Sequence, residues 1–192
     1  MIEQDIKLQR VKKSLKTAQI VARVLEIIFI VGFVLLLASG IIFMANSSYF
    51  NEEYANGNSY VTFYNSIIEL DNGNTNFSTV IKSDVPFIQN MISENNVAGL
   101  FGMLFIAMSL GFPFLAASFH FFVRACKIML REESPFAKKA RINILIAMII
   151  LSVLGMFTAG SGLGIACGVL TWCIYTILDY GALLQLQSDE TL

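Results

Sequence analysis

The chain has 192 residues, 56% of them hydrophobic and only 14% charged, against roughly a quarter charged in ordinary globular proteins. Its formal net charge of −1 supplies no basic field for direct nucleic-acid binding. The apolar residues are gathered into runs of about eighteen or more, the length that crosses a bilayer, which excludes an ordinary soluble domain.

Residues 2–17 interleave Ile2, Ile6, Val11 and Leu15 with Lys7, Arg10, Lys12, Lys13 and Lys16. This is the pattern of a basic amphipathic helix suited to an anionic membrane surface. It runs without a breaker into a first span over 20–45. That run is too long for the apolar core of a signal peptide, and Phe43 stands where a small residue would precede a cut after Ala45, so a retained signal anchor is expected. Arg23 and Glu26 are three apart, close enough to pair on one side of the helix.

Residues 46–96 form the one sizeable polar region, with a single lysine, Lys82, and six acids. Twelve of the thirteen Lys and Arg residues lie either before the core of the first span or in the segment 124–141. The positive-inside rule therefore predicts both termini in the cytoplasm and 46–96 outside. Within that loop, 60–70 and 76–82 are rich in strand-forming residues around the turn Asp71-Asn72-Gly73-Asn74, so a β-hairpin is expected. Pro86 should open a short helix ending about Ser93.

The second span is expected over 97–123, with a kink at Pro113 after Gly111. His120, the chain's one histidine, falls near the cytoplasmic boundary, as a hydrogen-bonded interfacial side chain or as a proton-handling group. In the loop 124–141, Ser134-Pro135-Phe136 should end one helix and begin the next, with Pro135 at a first helical position and Ser134 capping it. Spans three and four follow over 142–159 and 163–178, joined by a tight turn at Gly160-Ser161-Gly162. Gly160, Gly164 and Gly168 recur every four residues, a face fit for close packing within the monomer or for a homodimer. Asp179 then marks re-entry into the cytoplasm. A lone carboxylate at the edge of hydrocarbon is costly unless solvated or paired, so an ion pair to a basic residue of 124–141 is expected.

Catalytic chemistry has no motif behind it. One histidine, no intramembrane acid pair, and three cysteines (Cys126, Cys167 and Cys173) without metal-ligand spacing give no site for a metal or cofactor. Glu132-Glu133 resembles the paired acids of intramembrane prenyl-protease relatives, but Ala137 stands where their arginine should be. No phosphate-binding glycine loop is present.

The closing stretch Tyr180-Gly181-Ala182-Leu183-Leu184-Gln185, followed by Asp189-Glu190-Thr191-Leu192, and the central Pro135-Phe136 with a following Arg141 resemble a known family. It is the bacterial four-span membrane-protein family termed domain of unknown function 2975, often encoded beside a Cro/repressor-type helix-turn-helix regulator. Both motifs fall on the expected cytoplasmic face, where polar loops tied to a rigid scaffold tend to bind, and Asp179 is expected to pair with the same loop. A partner-binding surface is therefore expected from Ser134, Pro135, Phe136, Arg141, Asp179, Tyr180, Gly181, Gln185, Asp189 and Thr191. The expected fold is an all-α membrane protein with four transmembrane helices, N-in and C-in, and a small extracytoplasmic loop containing a β-hairpin. The expected function is non-enzymatic regulation or sensing in the cell membrane through a cytoplasmic helix-turn-helix regulator. The alternative is a small transporter or immunity-type protein, for which the polar residues along the spans are His120, Ser109, Thr171 and Asp179.

Overall fold

The computed structural model describes residues 2–55, 85–94, 96–132, 134 and 136–190. Among them are seven helices and no strand: α1 (Ile2–Ala45), α2 (Ser47–Ala55), α3 (Pro86–Ser93), α4 (Val97–Ser109), α5 (Gly111–Glu132), α6 (Lys138–Ala159) and α7 (Ser161–Glu190). The expected β-hairpin over 60–82 lies outside the described residues.

Among the described residues, four helical stretches are long and apolar enough to cross a membrane: Gln9–Ala45, Val97–Glu132, Lys138–Thr158 and Ser161–Gln187. The first leaves almost its whole apolar window uncovered, 6% buried, with Ile20, Val24, Ile27, Val31, Val34 and Leu35 all exposed. An apolar surface of that extent needs lipid or protein against it. Helix α1 is about 66 Å long at 1.5 Å per residue, twice a hydrocarbon core. Its basic N-terminal part and its apolar part form one uninterrupted helix, as the absence of a breaker predicts.

The second span is interrupted three residues before Pro113. Helix α4 stops at Ser109, Leu110 makes a turn bond to Ala107 O at 3.3 Å, and α5 restarts at Gly111. Proline has no N–H for the carbonyl four residues earlier, and its ring crowds that carbonyl, here Ser109. The distortion therefore falls N-terminal to the proline. The Ser109 hydroxyl, fully buried, donates to Ile106 O at 2.7 Å at the same turn.

The chain divides into two compact units. The first comprises Met1–Gly32 and Gly111–Leu192. Its helices α5, α6 and α7 pack in sequence, with small side chains where backbones approach: Ala116, Ala125, Cys126, Ala140 and Ala147 are buried. Without water to drive apolar burial, such helices associate by close packing and by hydrogen bonds between helices. Ser118 Oγ donates to Ala147 O at 3.0 Å, and the Ser152 and Thr171 hydroxyls meet at 3.3 Å. Phe29 of α1 stacks on Phe119 and meets Phe112 edge-on, at 5.5 and 5.8 Å between centroids.

Helices α6 and α7 are joined through Gly160 alone, whose φ of 91° suits only a residue without a side chain. Within the unit the three glycines of the repeat differ. A Cβ on Gly164 would stand 2.6 Å from Met156 of α6, whereas Gly160 and Gly168 face open space. Gly164 packs inside the unit, and none of the described residues covers Gly160 or Gly168.

The second unit is Phe33–Leu110. Gly40 of α1 and Gly102 of α4 face each other so closely that a Cβ on either would lie 2.8 Å from the other's carbonyl oxygen. A polar loop is expected directly after Ala45, but Asn46 interrupts the helix for one residue only. Its N–H still reaches Ile42 O at 3.0 Å, and α2 continues through Ala55. Phe50 stacks on Phe43 at 4.5 Å, so the apolar side of α2 folds back onto α1. Asn51 clasps α2 to α4: its amide donates to Asn96 Oδ1 at 3.0 Å and accepts from Ala98 N at 2.9 Å. Asn96 caps α4 by accepting from Gly99 N at 2.9 Å. Helix α3 runs from Pro86 to Ser93 as its proline start predicts.

Candidate partner-binding surface

The surface is built where the loop between α5 and α6 meets the C-terminal third of α7, all within the first unit. Ser134 is its pivot. Its hydroxyl accepts from Phe136 N at 3.2 Å, the local turn that serine favours, and donates to Gln185 Oε1 at 2.8 Å across fifty-one residues of sequence. The Ser134 oxygen serves a following N–H, that of Phe136, as expected, but the helix start is corrected: α6 begins at Lys138 with Ala137 as its N-cap and no side-chain cap.

The turn directs Phe136 onto α7. A Cβ on Gly181 would stand 2.6 Å from Phe136 Cζ, so the ring lies against bare helix backbone that only glycine exposes there. Gly181 and Gln185 are four apart and share one helix face, which explains how one short loop engages both.

The third tie is ionic. The Arg141 guanidinium, one turn into α6, donates to Asp179 Oδ1. The expected pairing of Asp179 with the basic loop segment is present, and its two ends differ. The Arg141 side chain is only 14% exposed while that of Asp179 is 58% exposed, and Arg141 Nε is buried without a hydrogen-bond partner. Asp179 is thus the chief neutraliser of a largely covered cation.

Of the ten residues singled out from sequence, Ser134, Phe136, Arg141, Asp179, Gly181 and Gln185 are drawn into this one cluster. Tyr180 stands beside it with its side chain turned outward, 64% exposed. Asp189 lies in the last turns of α7, which continues as helix to Glu190 rather than ending at the membrane edge. Pro135 and Thr191 lie outside the described residues.

A second cluster of ionisable groups sits between α1 and α5. Glu26, 7% exposed, is paired on both oxygens: with Arg23 at 2.9 Å through Oε2 and with His120 Nδ1 at 2.9 Å through Oε1. The Arg23–Glu26 contact follows from their spacing. The His120 contact spans ninety-four residues, and its only sequence signal is that both groups lie near the same end of their spans. Among the described residues, no three His, Cys, Asp or Glu side chains are grouped to hold a metal ion.

No family model, curated protein or solved structure matches this chain.

Proposed function

We propose that this chain is a non-enzymatic regulatory protein of the cell membrane, both termini in the cytoplasm, which holds a helix-turn-helix regulator on the surface formed by 134–141 and α7. The observation that carries the reading is the threefold tie of loop to helix: Ser134 to Gln185, Phe136 to Gly181 and Arg141 to Asp179. A polar loop pinned to a rigid scaffold is where binding residues are commonly presented, and fixing it beforehand lowers the ordering cost of association. The cytoplasmic orientation rests on the basic residues of α1 and of 124–141. The class of partner comes from the resemblance of the central and closing motifs.

The test is co-purification, in mild detergent, of a helix-turn-helix regulator with the full chain and with a chain lacking 187–192. Strong recovery by the full chain and its loss on truncation support the proposal; equal recovery by both forms removes the tail from it. Reporter fusions at Gly73 and at the C-terminus test orientation, and an externally active reporter at residue 192 refutes it.

One observation favours a second reading. Glu26 is an acid buried between helices and hydrogen-bonded to a histidine near one end of two spans, the kind of paired ionisable group that transporters use to carry protons. Under that reading Glu26→Gln abolishes a proton-coupled flux while the protein stays in the membrane and still holds its regulator.

A further inference from the structure

Beside the cluster, but sharing none of its contacts, lies a concave site of about 500 Å³ lined by Arg124, Lys127, Ile128, Arg131 and Lys139. Arg124, Lys127 and Arg131 recur at intervals of three and four on α5, so they project from one face of that helix. Lys139 comes across from the first turn of α6, which begins without a side-chain cap. All four cationic side chains belong to exposed residues. Among the described residues, Arg124, Lys127 and Lys139 have no carboxylate partner, and Arg131 has only Glu132 at 3.4 Å on an open surface.

Four positive charges around one hollow repel each other, and the described residues offer one weak counter-charge. A bound anion resolves this arrangement. The guanidinium groups of Arg124 and Arg131 suit the planar, two-point hydrogen bonding that phosphate oxygens accept, while Lys127 and Lys139 act as mobile point charges. The site lies at the end of the second apolar span and the beginning of the third, the level at which lipid headgroups sit. Basic hollows between membrane helices at that level take up anionic headgroups. Ile128 gives the hollow an apolar wall suited to the carbon skeleton next to a phosphodiester.

We infer that Arg124, Lys127, Arg131 and Lys139 form a binding site for a phosphate-bearing anion, drawn from an anionic phospholipid headgroup or from soluble phosphate. The site shares no contact with the ties of Ser134, Phe136 and Arg141 to α7, although its Lys139 lies within 134–141. It places an anion-responsive element on the same α5–α6 connection that carries Ser134 and Phe136.

The experiment is calorimetric titration of the purified full chain in neutral detergent with short-chain phosphatidylglycerol, short-chain phosphatidylcholine and inorganic phosphate. The variant is Arg124→Gln with Lys127→Gln. Lys138→Gln, an exposed cation next to Lys139 that does not line the hollow, is the control. Saturable binding of phosphatidylglycerol by the parent and by Lys138→Gln, weakened roughly thirtyfold in the Arg124/Lys127 variant, supports the site. If phosphatidylglycerol binds and neither phosphatidylcholine nor inorganic phosphate does, the source is lipid. If inorganic phosphate binds and competes with phosphatidylglycerol, the source is soluble. Absence of saturable binding, unchanged affinity in the Arg124/Lys127 variant, or equal loss in Lys138→Gln overturns the site.

Discussion

Removing the charge of Asp179 should cost more than removing that of Arg141, although the two form one pair. The reason is the unequal burial of the partners, 14% exposed for the Arg141 side chain against 58% for Asp179. An exposed pair contributes about 0–1 kcal/mol, whereas stranding a fully buried ion costs about 3–5 kcal/mol. Asp179→Ala leaves the Arg141 cation largely covered, with Nε already unpartnered, and should cost about 2 kcal/mol, between those limits. Asp179→Asn keeps an oxygen acceptor but turns a charge-assisted hydrogen bond into a neutral one, a loss of about 1 kcal/mol. Arg141→Met leaves a carboxylate that water can reach and an apolar chain in the covered position, and should cost under about 1 kcal/mol. At about 2–4 °C per kcal/mol for a chain of this length, thermal unfolding in neutral detergent, followed by near-ultraviolet circular dichroism, separates the three. The predicted order of destabilisation is Asp179→Ala, then Asp179→Asn, then Arg141→Met. A midpoint for Asp179→Ala equal to the parent's, or Arg141→Met as the most damaging change, would refute the reasoning.

The same assay reads three further predictions. Glu26→Ala removes a covered carboxylate but leaves Arg23 and His120 nearly half exposed, where water can reach them, and should cost about 1 kcal/mol; Glu26→Gln, which can keep a hydrogen bond to each, should cost clearly less, and equal costs would mean those hydrogen bonds contribute nothing. Asn51→Ala leaves the buried Ala98 N–H without an acceptor and should cost about 1–3 kcal/mol, while the exposed Asn46→Ala should cost much less. Gly40→Ala forces α1 away from the Gly102 carbonyl, 2.8 Å from the new methyl, at about 1–3 kcal/mol; a neutral result there would show that the two helices are not in backbone contact.

What was legible in the sequence is what lipid enforces or what spacing alone determines. The four spans follow from long apolar runs, Arg23–Glu26 from a separation of three, and the helix break before Pro113 from proline's missing N–H. Asp179 was readable because an isolated carboxylate at a membrane edge, with cations on two neighbouring spans, has few ways to be satisfied. The Ser134–Gln185 bond and the seat of Phe136 on Gly181 were not readable as contacts, because they depend on the rotation of α7 about its axis. Along α7, exposed Leu183, Leu184 and Leu186 do not mark a buried stripe, so sequence alone gives no such rotation. The His120–Glu26 and Asn51–Asn96 contacts join side chains ninety-four and forty-five residues apart, each of ordinary composition. The region after Ala45 looked polar enough for a loop, yet Phe50 on Phe43 and the Asn51 clasp hold it as helix α2.

Recovery of the regulator by two glycine variants of α7 tests the central claim most directly. Alanine favours a helix over glycine by up to about 1 kcal/mol, and at Gly168 nothing lies within 4 Å to oppose the new methyl. At Gly181 the same methyl would stand 2.6 Å from Phe136 Cζ and must push the ring, and the loop carrying it, off α7. Both proteins, with the parent, are to be purified in mild detergent and titrated with a Cro/repressor-type helix-turn-helix regulator from the same genome. The account predicts that Gly168→Ala binds as the parent does while Gly181→Ala binds at least several-fold more weakly. Equal binding by all three, or no binding by the parent, would contradict it.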